Sequence, residues 1–314
     1  MNMNARMTGV LAPVVTPFSA DGGADVERFV RHCRWLLGQG VGLAVFGTNS
    51  EANSLGIDER IDLLDRLVAS GIDPARMMPG TGTCALTDSV RLTAHAVKLG
   101  CAGTLMLPPF YYKGVTDEGL YRSYSEIIER VGDARLRIYL YHIPPVSQVP
   151  ISLGLIERLL KAWPGIVAGV KDSSGDWSNS KAMLDRYAGE GFDVFVGSES
   201  FLLANLRNGG RGCISATANV NPAAIHHLYG HWQEGDADAI QQALDRVRGT
   251  FQKYPMIPAL KQAIAHWGRD PAWARVRPPL VGLTDAQSAA LVADLVACGF
   301  SMHNLGLAGP QARS

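Results

Sequence analysis

The chain has 314 residues, 47% of them apolar and 18% charged, with 29 acidic and 29 basic side chains. Such length allows two average domains or one large α/β domain, and the apolar content allows a sizeable core. The balanced charge excludes the electrostatic footprint of a nucleic-acid or anionic-membrane binder.

The opening MNMNARM has no basic-then-apolar run, and no apolar stretch is long enough to cross a bilayer. The five cysteines (Cys33, Cys84, Cys101, Cys213, Cys298) are odd in number and scattered, with no C-x-x-C pair. A disulfide framework and a structural zinc site are therefore not expected, and a soluble cytoplasmic protein without nucleic-acid or membrane partners is.

Along the chain, short apolar runs alternate with helical periodicity. Strands are predicted from Val10 (VLAPVV), Leu43 (LAVFGT), Arg76 (RMMPGTG), Gly103 (GTLMLPP), Leu136 (LRIYLYHIP), Ile166 (IVAGVKD), Asp193 (DVFVGSE) and Gly212 (GCISAT). Their nearly unbroken apolar character suits strands of a parallel sheet buried on both faces. Between them, Val26, Phe29, Val30, Cys33, Leu36 and Leu37 share one helical face, as do Leu120, Tyr124, Ile127, Ile128 and Val131. Asp58, Thr87 and Ser152 are placed to begin helices, Gly71 and Gly100 to end them.

From Asn221 the pattern is wholly helical, with helices near Ala223–Glu234, Ala237–Phe251, Pro258–Trp267 and Asp285–Cys298. The fold class expected is an α/β (β/α)8 TIM barrel over residues 1–235, with a C-terminal helical extension (236–304) packed on it and a loose tail (305–314). An open doubly wound sheet is the alternative, but no G-x-G-x-x-G follows the first strand.

Active sites of such barrels gather at the C-terminal ends of the strands. Here those ends read Gly47-Thr48-Asn49-Ser50-Glu51, Pro108-Pro109-Phe110-Tyr111-Tyr112, Tyr141-His142-Ile143-Pro144-Pro145 and Lys171-Asp172-Ser173-Ser174-Gly175. Lys171 directly follows IVAGV, which places its amine in the barrel mouth, where a neutral amine attacks a carbonyl carbon. The plainer alternative is a strand-end lysine that snorkels to solvent. Lys98, Lys161, Lys181 and Lys261 fall in helical stretches, and Lys113 and Lys253 at loop or helix-end positions, so they compete poorly.

Tyr141 ends the neighbouring strand and is a suitable proton shuttle, although strand-end tyrosines more often only pack their rings. The Gly47–Glu51 turn offers backbone N–H groups and the Thr48 and Ser50 hydroxyls to a carboxylate, or is an ordinary polar loop. Metal chemistry fits poorly. His226 and His227 are adjacent in a helix and diverge, His142 alternates to the other side of its strand from Tyr141, and no H-x-H or H-E-x-x-H spacing occurs. A phosphate-binding loop and a G-x-S-x-G elbow are also lacking.

Taken together, these segments resemble the dihydrodipicolinate synthase/N-acetylneuraminate lyase family of class I aldolases, from about Val10 to Leu280. GTNSE is similar to the family's G-[ST]-T-G-E turn, YHIP to Y-N-[IV]-P, and GVKDSSGD to G-[IV]-K-[DE]-[AS]-[ST]-G. PPFYYKGVTDEGL is similar to its P-P-Y-Y segment, and GCISATANV to G-[VC]-I-S-x-T-A-N. The resemblance implies that Lys171 forms an imine with C2 of a 2-oxo acid, pyruvate or a pyruvate-releasing sugar acid, while Tyr141 shuttles protons. It implies that Thr48 and Asn49, with the turn amides, hold the substrate carboxylate, and that Ile214 gives a backbone contact. Tyr111 matches a tyrosine contributed across a dimer interface, with Tyr112 as its substitute because this segment is one residue longer. A homo-oligomer, dimer or tetramer, without metal or organic cofactor, is implied as well.

Three positions depart from the family pattern. Asn49 replaces the second hydroxyl residue of the turn, which breaks the threonine-to-tyrosine proton relay of dihydrodipicolinate synthases and resembles the 4-hydroxy-2-oxoglutarate aldolase branch. Val146 stands where those synthases carry a carboxylate-binding arginine, a loss that disfavours their semialdehyde substrate. Gly197-Ser198-Glu199-Ser200 and Ala216 do not reproduce the polar set with which sialic acid lyases hold a sugar tail. The expectation is a Schiff-base-forming lyase/aldolase acting on pyruvate or a small 2-oxo acid, such as a 2-keto-3-deoxy sugar acid or a 4-hydroxy-2-oxo acid. The rival is 4-hydroxy-tetrahydrodipicolinate (dihydrodipicolinate) synthase of lysine biosynthesis, and the alternative of another class is a non-catalytic ligand-binding barrel.

Overall fold

The computed structural model describes residues 6–303 and Leu305. Its strands are β1 (Gly9–Ala12), β2 (Gly42–Leu43), β3 (Thr104–Met106), β4 (Ile138–His142), β5 (Val167–Asp172), β6 (Asp193–Val196) and β7 (Gly212–Ile214). Two compact units emerge, one of Asp73–Ile214 with the residues up to Gly9, the other of Val10–Ile72 with the residues from Ser215 onward.

In the first unit β7, β6, β5, β4 and β3 lie side by side in that order, every pair parallel. Gly9 N–H donates to Arg211 O at 2.8 Å just before β7. The strand expected from Arg76 is reduced to a single parallel bridge, Gly80 to Leu105. Leu105 N–H donates to Pro79 O and Thr81 N–H to Leu105 O, both at 2.9 Å, so this segment runs beside β3. Pro79 has no N–H to extend the ladder. Gly82 crosses so near that a Cβ there would stand 2.2 Å from Leu107 N. Helices Leu86–Leu99, Asp117–Val131, Leu153–Ala162 and Trp177–Tyr187 supply the cover. Their inner faces form one cluster with the strands, including Leu120, Tyr124, Ile138, Leu155, Val170 and Leu184. Each such aliphatic side chain contributes roughly 1.5–3 kcal/mol by leaving water.

Ser152 caps its helix as expected, accepting Leu155 N–H at 3.0 Å, and Gly100 ends another at φ 87°. The helix expected to start at Thr87 instead has Ala85 at its cap, while Ser89 Oγ accepts Thr83 N–H.

In the second unit β1 and β2 pair in parallel, Leu11 with Gly42 and Ala12 with Leu43. Ser215 N–H reaches Leu11 O on the other side at 3.3 Å. Ile57–Ala69 is capped by Gly56 rather than Asp58, because Glu59 reaches back to Gly56 N–H at 2.8 Å and leaves Asp58 as a first-turn acid. Helices Pro222–His231, Ala237–Phe251, Met256–Gly268 and Asp285–Ala297 complete the unit. The last three share one apolar cluster with Val15, Ala216 and Val220, around the fully buried Trp273.

Alternating strands and helices, parallel throughout and followed by a run of helices, form the (β/α)8-barrel class with a C-terminal helical extension. The proposed tail, Leu305 apart, lies outside the described residues. Among the described residues no helix is long and apolar enough to cross a membrane.

Candidate active site

The first unit brings Lys171 and Tyr141 together. They are partners across the β4–β5 ladder, and Lys171 Nζ stands 4.2 Å from the centre of the Tyr141 ring. Both side chains are buried, Lys171 at 2% and Tyr141 at 3% exposure. Lys171 is thus not a snorkelling lysine, and among the described residues its amine makes no ion pair with a carboxylate.

The next pair on the ladder, His142 and Asp172, faces the other way. Asp172 is buried and accepts three hydrogen bonds: from Ser180 Oγ at 2.6 Å, Asn179 Nδ2 at 3.0 Å and Ser174 N at 2.9 Å. The Ser180 and Asn179 donors tie the end of β5 to helix Trp177–Tyr187. His142 Nδ1 accepts Ile151 N–H at 3.0 Å, so its neutral ring carries the proton on Nε2. Burial holds His142 below the ordinary histidine pKa against the opposing field of Asp172. His142 is therefore a neutral structural acceptor here.

Gly197 N–H donates to Asp172 O at 2.7 Å, and a Cβ on Gly197 would lie 2.0 Å from Ser173 Oγ. Only glycine lets these strand ends approach. Ile214 ends β7 fully buried.

Tyr111 and Tyr112 are on the surface of this unit, 73% and 71% exposed, their rings edge to face at 5.4 Å. Lys113 Nζ donates to Phe110 O and, at 2.8 Å, to Ser147 O, pinning this loop to helix Pro144–Ser147. Val146 on that helix is 62% exposed.

In the second unit the Gly47–Glu51 turn is a single 3-10 turn over Thr48–Ser50. Ser50 Oγ accepts Gly47 N–H at 3.2 Å, and Thr16 Oγ1 donates to Ser50 O at 2.7 Å. Thr48 and Asn49 are half-buried. The same turn ends in a pair that residue spacing does not reveal: Glu51 and Lys261, 2.7 Å apart, each side chain fully buried. Burial outweighs the attraction of Glu51 and brings Lys261 down to about 8. Its trace in the sequence is a lone lysine in the apolar helical run MIPALKQAIA, where helical lysines usually reach water. Among the described residues no three His, Cys, Asp or Glu side chains gather as a metal site.

Residues 6–298 match the model of the Dihydrodipicolinate synthetase family. A DapA-like lyase of Chloroflexus aurantiacus is 34% identical over 290 residues, 91% of this chain and 95% of that protein. The crystal structure of dihydrodipicolinate synthase from Agrobacterium tumefaciens superposes with a TM-score of 0.86 at 32% identity, covering 93% of this chain and 99% of that one. The structure of YagE from E. coli, a prophage protein of the dihydrodipicolinic acid synthase family in complex with pyruvate, also gives 0.86, at 27% identity, over 95% of this chain and 100% of that one.

Proposed function

We propose, from the premise that this chain belongs to the dihydrodipicolinate synthetase family of Schiff-base lyases, that it cleaves or condenses a small 2-oxo acid through an imine on Lys171. The observation that carries this reading is the buried Lys171 side chain, whose amine rests on the Tyr141 ring and among the described residues makes no ion pair with a carboxylate. A phenol beside an amine puts a proton donor and acceptor where a carbonyl is attacked. Its lone pair attacks C2 of the 2-oxo acid, the carbinolamine loses water, and the imine withdraws electrons from C3 so that a carbon–carbon bond there can break or form. Tyr141 passes the protons that each step requires. Thr48 and Asn49, with the amides of their turn, take the substrate carboxylate, and Ile214 supplies a backbone contact. The pyruvate bound to YagE supports the substrate class.

The exposed rings of Tyr111 and Tyr112 fit a surface completed by a second copy of the chain, so the protein acts as a homo-oligomer, dimer or tetramer, in the cytoplasm. Either tyrosine fits the interface role. The division into a barrel of 1–235 and helices of 236–304 packed on it is supported by the cluster that joins Val15 and Ala216 to Val247, Phe251 and Leu291.

Incubation with pyruvate followed by borohydride and mass measurement tests the reading. The expected result is a gain of one reduced pyruvyl group, lost in Lys171→Ala. No gain, or one that survives the substitution, overturns it. The rival, dihydrodipicolinate synthase, draws support from the name of the Agrobacterium neighbour. Val146, apolar and open to solvent, gives its semialdehyde carboxylate no cation. Robust turnover of pyruvate with aspartate semialdehyde would decide for the rival.

A further inference from the structure

Lys261 lies in the middle of helix Met256–Gly268, yet no part of its side chain reaches water. Its Nζ sits 2.7 Å from Glu51 Oε1 and 4.5 Å from the centre of the Phe18 ring. The other carboxylate oxygen, Oε2, accepts the backbone N–H of Arg277 at 2.9 Å. The Arg277 guanidinium covers the same Phe18 ring at 4.7 Å but bonds elsewhere, to Glu59 and to the carbonyls of Gly22 and Ser54. Glu51 is therefore gripped through both oxygens, by two segments far away in sequence.

Such a pair is a poor way to gain stability, since both charges lose their water. It does fix geometry. Glu51 is a non-glycine residue in the left-handed region, φ 56° and ψ 34°, and directly follows the Thr48–Ser50 turn. Its N–H closes that turn on Thr48 O at 3.1 Å, and its own carbonyl accepts Ser54 N–H at 2.8 Å. A side chain held from both ends maintains a backbone conformation that it would otherwise leave.

We propose that the Lys261–Glu51 ion pair is a positioning device that holds the Thr48–Asn49 turn in the shape that receives a 2-oxo acid carboxylate. The helix Met256–Gly268 thereby sets substrate affinity without touching substrate. This rests on the reading of that turn as the carboxylate site. The charged groups around the pair are Arg277 and, through it, Glu59. With Lys261 at about 8, the pair is intact at neutral pH and loses its cation as the solution becomes alkaline, leaving Glu51 without that countercharge and held by the Arg277 N–H. Substrate affinity should fall over the same range.

The test measures the rate of borohydride-trapped pyruvate adduct against pyruvate concentration, from pH 6.5 to 9.5, on the full chain. The double variant Glu51→Gln/Lys261→Met removes both charges together and so leaves neither buried alone. It should raise the half-saturating pyruvate concentration about tenfold at neutral pH, leave the maximal trapping rate and the melting temperature near wild type, and abolish the alkaline loss of affinity. Should the double variant not fold, Glu51→Gln alone serves, because the amide oxygen of the new side chain still accepts from Arg277 and Lys261 can stay neutral. The same weakened, pH-independent affinity is expected. An unchanged half-saturating concentration in either folded variant overturns the proposal. So does a change that follows melting temperature alone. Wild-type protein that traps no pyruvate on Lys171 overturns the imine reading and this proposal together, whereas normal trapping with unmoved affinity removes only the role of the pair.

Discussion

Asp172 and Lys171 are consecutive in sequence and do opposite work. Among the described residues Lys171 makes no ion pair and rests on the Tyr141 ring, while the side-chain hydrogen bonds of Asp172 fasten the strand end that carries it. Replacing Asp172 with alanine leaves the Ser180 hydroxyl and the Asn179 amide short of a buried acceptor. The expected cost is about 2–3 kcal/mol, read from denaturant unfolding. Trapping of pyruvate should slow at the same time, because Lys171 loses its backing. A slowed rate without loss of stability would contradict this account. Residue types at strand ends were legible in the sequence, since a lysine after IVAGV has one side to point to. The acceptors behind it were not, because Asn179 and Ser180 belong to a helix whose rotation no single spacing specifies. Lys261 was missed for a related reason: helical position argues for water, and only the partner at Glu51, 210 residues away in sequence, explains its burial.

At the scale of elements, β4 and β5 meet through an irregularity that decides which residues face each other. Ile138 pairs with Val167, but Tyr139 pairs with Gly169, so Ala168 is the extra residue. Without that bulge Tyr141 would stand opposite Val170 and Lys171 opposite His142. The bulge moves the register by one and sets the phenol beside the amine, a common use of bulges at strand ends. Gly169 makes it feasible, since a Cβ there would lie 2.3 Å from Asp193 O and 2.8 Å from the Tyr139 ring. Tyr139 in turn donates its hydroxyl to Asp193 at 3.1 Å, and Arg211 pairs with the other oxygen at 2.8 Å. Gly169→Ala must therefore push β5 away from β6. We expect destabilisation of roughly 1–3 kcal/mol or more and loss of pyruvate trapping in whatever protein folds. Wild-type trapping in a stable Gly169→Ala protein would show that the register does not depend on the glycine. The apolar runs revealed two neighbouring strands with Tyr141 and Lys171 at their ends. They could not reveal the bulge, because Ala168 reads as one more apolar residue. For the same reason the segment from Arg76 looked like a full strand, although Pro79 restricts its ladder.

At the scale of the whole molecule, alternation of strand and helix and the closing helical run were readable from periodicity, because each element needs its own apolar face. The membership of the second apolar cluster was not, since Val15 and Trp273 meet through contacts between distant parts of the chain. That cluster borders a titrating group with consequences for stability in acid. His32 is fully buried, its ring 5.6 Å from Trp35 and 5.1 Å from Trp273. Burial dominates over the Asn219 amide and pushes His32 down to about 4. Between pH 4 and 6.5 the unfolded chain then holds a proton that the folded chain does not, so stability rises with pH across this window and is lost as pH falls through it. The shift corresponds to roughly 3 kcal/mol. His32→Phe keeps a planar ring between the two tryptophans and removes the titration. The difference in unfolding free energy between variant and wild type should therefore grow in favour of the variant as pH drops from 6.5 to 4, and stay constant above 7. Denaturant titrations of both proteins across that range measure it directly. A difference independent of pH would mean that His32 is protonated in the fold and that another group carries the acid sensitivity.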